Sequence, residues 1–527
     1  MRRCLLLVTL AALAACGGDD DPLHVQTAEG TLQGKNLGDG VRAFLGVPYA
    51  APPTGANRWR PPQPVEPWSD IRDARMIGSQ CPQSLGFSGP GGDEDCLFLN
   101  VWTPPNPPPQ GAPVFVWIHG GAFVFGAGGD PFYDGDALAA KLGVVVVTLN
   151  YRLGALGFLA HQALDHEDPA YASSGNYGIE DQYAALQWVH RNIAAFSGDP
   201  AHVVLAGESA GGYSVCMHYA AARTADLFQT AISESGVCGA MLTPHELANA
   251  SGGRIATQLG CTGMADADTL TCLRGKSTDE LLATVTVPIS SQVPGGPLYD
   301  PTTPLMWPND DGLAYTGALA DALAAPPAPR PLLLGTNHDE GTLFVSSIFA
   351  KPISTEPEYE AALAVRYGNA NVATIVQKYP VASFASANAA LAAVTGDGLF
   401  VCPARRTARA IALTGAPVFR YTFQKALEGP LLPDAGVPHA SEVAFVFGND
   451  DFPLGMVGAS GADLSATMQR YWTRFGNNGD PNGEGDPVWP SYGVRADPYQ
   501  VLDAPISSAA GLESDSCDFW DKLSITL

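Results

Sequence analysis

Residues 202–212 read HVVLAGESAGG, an apolar run that breaks on Gly207-Glu208-Ser209-Ala210-Gly211. A strand followed at once by a helix brings the two elements close together, and Gly207 and Gly211 remove the side chains that would collide there. Gly and Ser are also ordinary turn residues, and the chain holds 58 glycines, so the stretch has a bland reading as well. The sharper reading is a nucleophilic Ser209 raised on a strained strand-to-helix elbow. A helix beginning near Gly211 would aim its free N–H groups and positive dipole end at that serine. Deciding between the two requires a base, an acid and an oxyanion site elsewhere in the chain.

The surrounding pattern alternates strands with helices. Residues 114–118 and 144–149 are short β-branched runs that read as buried parallel strands. Residues 181–192 carry Tyr183, Leu186 and Val189 at three-residue spacing, an amphipathic helix. A strand over 202–206, a helix over 211–222 and a strand over 230–233 follow, with further strands expected at 331–335 and 418–423. The fold class is therefore α/β: a mostly parallel central sheet with helices on both faces and long loop excursions. Pro-rich residues 104–109 and 324–331 read as surface loops, not as domain boundaries. Chemistry in such sheets gathers at the carboxyl ends of strands, where Ser209 lies.

The N-terminus reads as separate from this fold. Arg2 and Arg3 precede an apolar run, and residues 1–15 have the pattern of a secretory signal. Leu13-Ala14-Ala15-Cys16 resembles a bacterial lipobox with Cys16 as the lipid-modified residue; an ordinary signal peptide with a chance cysteine is the competing reading. Residues 16–23 would be a flexible tether and 24–527 a single catalytic domain. Gly17 after Cys16 leans toward the outer membrane. No later segment offers an uninterrupted apolar span of membrane length, so membrane contact is expected only through the lipid. A net charge of −25 argues against nucleic-acid partners and against anionic lipid surfaces.

Export favours disulfides. Cys4 leaves with the signal and Cys16 would carry lipid. Spacing suggests Cys81–Cys96, Cys261–Cys272 and a long-range Cys402–Cys517 tie; whether Cys216 and Cys238 form a fourth bridge stays open. Zinc is the rival, but no CxxC pair or Cys/His cluster at ligand spacing exists. His161 and His166 do not match the HExxH zinc pattern. Asp480-Pro481-Asn482 starts a loop like a calcium-binding one, but Ser491 stands where its bidentate Glu is required.

Downstream of the elbow, residues 331–335 run into Thr336-Asn337-His338-Asp339-Glu340-Gly341. The order expected of this architecture is Ser, acid, His. Asp339 and Glu340 both qualify as the acid, and the sequence alone does not separate them. His218, His245, His338 and His439 are the candidate bases; His439 follows both serine and acid. Upstream, the strand at 114–118 ends in His119-Gly120-Gly121-Ala122-Phe123, whose small residues would let backbone N–H groups approach a developing oxyanion. Such a loop can also be only a turn. HGGxF paired with a later GxSxG is far more specific than either alone.

Taken together these residues resemble the type B carboxylesterases, the family that includes bacterial para-nitrobenzyl-type esterases and the cholinesterases. The match spans the chain after the tether. It includes residues 44–50 (FLGVPYA), 94–101 (EDCLFLNV), 150–154 (NYRLG), the DEG turn at 339–341 and GDPN at 479–482. The resemblance implies an α/β-hydrolase fold and a serine esterase with Ser209 as nucleophile, Glu340 as acid and His439 as base. It carries over Gly121, Ala122 and Ala210 as oxyanion donors, Gly120 as the residue shaping that loop, Glu208 as a buried acid and Ser235 as a supporting serine. The three spaced disulfides are also the family's. No metal or organic cofactor is needed; the partner is a small-molecule ester, and the chain is expected to be a monomer or weak dimer.

Departures narrow the substrate. The loop between Cys81 and Cys96 is short and lacks the tryptophan that holds choline in cholinesterases. Thr342-Leu343-Phe344 supplies one aromatic where those enzymes have two, so a cation–π site is not expected. The related lipases use a longer version of this loop as a lid, so the short one points to short-to-medium, soluble, uncharged esters. The alanine of HGGAF implies tolerance of bulky alcohol groups. A surface-tethered lipase or polyester-oligomer hydrolase is the rival within hydrolases. A non-catalytic binding or adhesion member of the same fold is the remote one, disfavoured by the intact triad.

Overall fold

The computed structural model describes residues 21–239, 242–285, 306–346, 350–428, 436–449 and 457–523. The expected signal peptide, Cys16 and most of the tether lie outside these residues.

An 11-stranded sheet carries the chain. Its strands are β1 (Lys35–Gly38), β2 (Val41–Pro48), β3 (Phe98–Thr103), β4 (Ala112–Ile118), β5 (Val145–Leu149) and β6 (Gly198–Glu208). They continue with β7 (Thr230–Glu234), β8 (Leu332–Asn337), β9 (Val418–Phe423), β10 (Pro498–Leu502) and β11 (Ser507–Ala510). The spatial order is β11-β10-β9-β8-β7-β6-β4-β5-β3-β2-β1. From β5 to β10 every pairing is parallel, while β1 to β3 and β11 are antiparallel additions at the edges. The mostly parallel sheet expected from the sequence is therefore present.

β4 shows why its sequence is apolar throughout. Val114, Val116 and Ile118 enter the core on one face, whereas Phe115 and Trp117 enter the core on the other. A strand covered on both faces has no solvent side to make polar. Helices α1 (Tyr177–Asn192) and α2 (Ala210–Ala220) bury Leu186, Val189, Tyr213 and Val215 in the first core. α1 starts earlier than residue 181, and its opening residues, including Tyr177 and Ile179, are buried on every side.

Farther along lie α3 (Asn369–Lys378), α4 (Ala387–Thr395), a π-helical turn (Gly396–Val401) and α5 (Cys402–Leu413). Next come α6 (Val443–Phe447), α7 (Gly458–Asn478) and α8 (Ser514–Trp520). α6 and α7 cover the second face with Phe445, Phe447, Met468 and Trp472. Ile375, Leu391 and Trp520 form a smaller third core among α3, α4 and α8.

One expectation needs correction. The continuous helical stretch Ala387–Leu413 is long and apolar enough to cross a membrane, with an 18-residue window of mean hydropathy 1.2, but 67% of that window is buried in the protein. It is apolar because it packs in the interior. The open question at Cys216 is also answered: Cys216 on α2 is bonded to Cys238 just after β7, beside Cys81–Cys96, Cys261–Cys272 and Cys402–Cys517.

Candidate functional site

β6 ends at Glu208 and α2 begins at Ala210, leaving Ser209 alone at the elbow with φ 57° and ψ −119°. A non-glycine residue held there costs on the order of 1–3 kcal/mol and persists only where the surroundings enforce it. Enforcement is visible on both sides. Ser209 N–H donates to Glu234 O at 2.9 Å, and its own carbonyl accepts from Tyr213 N at 2.8 Å. A Cβ on Gly211 would sit 2.0 Å from Ile118 O, so that close pass requires glycine.

The loop after β4 lies against the elbow. A Cβ on Gly120 would come within 2.7 Å of Glu208 Oε2. Gly121, Ala122 and Phe123 all take positive φ, and among the described residues the Gly121 and Ala122 N–H groups have no intramolecular acceptor. Ala210 begins α2, and these three groups line one cleft with Ser209 and His439. His119 braces the loop from beneath: its ring stacks on Tyr151 at 4.4 Å, and Nδ1 bonds Gly120 O at 2.7 Å. Burial lowers His119 to about 4, so the ring is neutral and Nδ1–H is the donor.

The structure separates the two candidate acids. Glu340 Oε2 bonds His439 Nδ1 at 2.5 Å, while Oε1 accepts from Asn337 N at 2.7 Å and Ser235 O–H at 2.6 Å. Asp339 turns the other way, to Val437 N and His338. The other histidines are engaged elsewhere: buried His218 with Gln182, and His245 with Asp165 and Asn309. His439 Nε2 lies 3.1 Å from Glu208 Oε1. Among the described residues no hydrogen bond joins it to Ser209 Oγ, a contact that often tightens only when substrate is bound.

The electrostatics are lopsided. Burial pulls the His439 imidazole down, but Glu208 and Glu340 push it up further, to about 9. Burial raises Glu208, with His439 opposing. Sequence reasoning missed Glu442, one turn beyond His439, which is fully buried. It accepts from Asn337 Nδ2 at 2.6 Å and from Tyr421 O–H at 3.2 Å. Ser235 O–H, bonded to Glu340, also lies 3.3 Å from Glu442 Oε1. Burial and then Glu340 raise Glu442 to about 7, in the same direction. The only sequence signal was an acid, three residues after His439, opening an apolar run.

The cleft holds about 760 Å³ of space and is walled by apolar rings. Phe344 and Phe400 sit on His439 with centroids 5.0 and 4.8 Å away. Phe87 brings the Cys81–Cys96 loop to the cleft, its ring tilted against Phe125 and edge-on to Phe132. That loop is bolted down: Gly126 N donates to Gln83 Oε1 at 2.8 Å, and Ser88 O–H donates to Asp130 at 2.5 Å.

Comparison with known proteins agrees with this geometry. Residues 21–520 match the model of the carboxylesterase family. The para-nitrobenzyl esterase of Bacillus subtilis (strain 168) is 38% identical over 93% of this chain and 97% of its own. The fumonisin B1 esterase of Sphingopyxis macrogoltabida is 34% identical over 96% of this chain and 91% of its own. A solved PNB esterase structure superposes with TM-score 0.81 at 36% identity, covering 95% of this chain and all of that one. With its α/β-hydrolase fold, the chain belongs to the carboxylesterase family and is a carboxylic ester hydrolase.

Proposed function

We propose that the protein hydrolyses short-to-medium, soluble, uncharged carboxylic esters through an acyl-enzyme on Ser209. The observation that carries this reading is the Glu340–His439 pair, opening onto the cleft that also holds Ser209 on its elbow. His439 takes the hydroxyl proton as Ser209 Oγ attacks the ester carbonyl, and the tetrahedral oxyanion is held by the N–H groups of Gly121, Ala122 and Ala210. The carbonyl re-forms, the C–O bond breaks, and imidazolium returns the proton to the departing alcohol. Water, deprotonated by His439, then releases the acid. Glu340 holds the imidazole tautomer, Gly120 lets the loop approach, and Ser235 supports Glu340. Loss of one oxyanion donor costs on the order of 10²–10³ in rate.

The anchored Phe87 loop supports dissolved substrates over a lipase-like interfacial lid. Disulfides support an exported protein; the tether reading adds an outer-membrane lipid anchor at Cys16, with the chain otherwise periplasmic or secreted and a monomer or weak dimer. Fluorophosphonate labelling with peptide mapping tests the mechanism: label on Ser209 and loss of activity in Ser209→Ala are expected. Label elsewhere, or surviving esterase activity, overturns it. A rate that jumps on emulsified long-chain lipid would overturn the substrate class.

A further inference from the structure

Behind the Glu340 turn lies a second cavity, about 1270 Å³ and open to solvent. It shares a wall with the catalytic cleft: Gly341 and Thr342 face the cavity, while Leu343 and Phe344 face the cleft. The π-helical turn divides the two in the same way, with Asp397 on the cavity and Phe400 against His439. In an α-helix residues three apart share a face. The wider π-turn sends them apart, and such turns concentrate at functional sites.

The cavity pairs an apolar wall with unmatched carboxyls. Tyr379 and Phe384 stack with centroids 6.5 Å apart, next to the alanines of α4. Asp397 accepts from Tyr379 O–H at 2.7 Å, and Glu513 at the start of α8 accepts from Ser516 O–H at 3.3 Å. Their hydrogen-bond partners are hydroxyls; the cationic groups in the lining, Lys378 and His338, act on Asp397 and Glu513 only through space. His338, across the cavity, is spent on Asp339 at 3.0 Å. Lys378 stands at the rim, where it also borders a depression with Asp515 and Asp518. Burial holds the Asp397 carboxyl up at about 6; its hydroxyl bonds oppose this, Glu513 adds to it, and Lys378 pulls down least. A bound cation would relieve that repulsion.

We propose that this cavity binds an organic ammonium ion with an aromatic or apolar body. The cation sits between Asp397 and Glu513, the body lies on Tyr379 and Phe384, and occupancy alters hydrolysis through the π-turn. The binding step stands apart from the assignment of Ser209.

Calorimetric titration with 2-phenylethylammonium tests it, on protein whose cleft has first been phosphonylated so that only the rear cavity is free. Saturable binding is expected, tighter above the Asp397 value of about 6 than below it. 2-Phenylethanol and phenylacetate should bind far more weakly. Asp397→Asn and exposed Glu513→Gln should each weaken the ammonium about tenfold. Saturating amine should change kcat of the unmodified enzyme by about twofold or more on a dissolved aryl ester. Absent saturable binding, equal binding of the alcohol, or Glu513→Gln binding like the parent chain overturns the site. An unchanged kcat at saturation overturns the link through the π-turn. Failure of phosphonylation would count against Ser209, and the titration is then read on the unmodified chain.

Discussion

Two buried charged regions lie side by side at the strand ends and differ in their balance. After β5, Arg152 meets Asp181 of α1 one to one, with N, Nε and Nη2 donating at 3.0, 2.8 and 2.7 Å. Both side chains are almost sealed, at 3% and 0% exposure. Around His439, by contrast, Glu208, Glu340 and Glu442 are all buried, and among the described residues His439 is the one base within ion-pair distance of Glu208 and Glu340. A matched pair fixes geometry. An unmatched cluster sits near the point where a proton moves, which is how active-site groups are tuned. On the proposed mechanism the first region is structure and the second is chemistry.

The largest test of that contrast exchanges one residue in each region. On the proposed mechanism His439→Ala should cost on the order of 10⁶ in kcat, since removing one member of a catalytic triad is nearly as costly as removing all; its thermal shift should be the smaller of the two, because the carboxyls it leaves behind can take up protons. Asp181→Asn should do the reverse. It strands a buried guanidinium at a cost of about 3–5 kcal/mol, and activity should fall only as the folded fraction falls. Equal thermal shifts in the two variants would break the comparison.

Glu340→Gln comes next. It keeps the shape but can no longer hold the imidazole tautomer or stabilise its charged form, so kcat should drop on the order of 10⁴. A smaller effect belongs to Glu208. The base must be neutral to work, so kcat/KM should rise with pH up to about 9, the value to which His439 is held. Glu208→Gln removes one anion that favours imidazolium, so the inflection should move down in pH, while kcat changes by about tenfold or less. An upward move would contradict the electrostatic account. The smallest effect is expected from Glu442→Gln. Glu442 is held up to about 7, so below that pH it is a neutral acid, and Gln is its neutral isostere. Below this pH kcat should stay within about twofold of the parent.

Much of the sheet was readable because its cues are local. Residues 114–118 and 202–206 announce strands by unbroken apolar runs, and Gly207 and Gly211 announce the elbow by the space they leave. Glu442 and Phe400 were not readable as neighbours of His439. An acid in an apolar run says nothing of its neighbours, and Phe400 reaches the imidazole through a π-turn that no periodicity in 387–413 foretells. The same stretch hid its own character: its apolar composition serves an interior position that only the packing around it reveals.

By itself the sequence determined the α/β order, the strained position of Ser209 and the succession of serine, acid and histidine. These are properties of neighbouring residues and of spacing along one chain. The tertiary structure alone decided that Glu340 and not Asp339 meets His439, that Cys216 reaches Cys238, and that three buried carboxyls act on one imidazole. Adjacent residues on a turn point in opposite directions, and which direction is inward depends on elements about a hundred residues away.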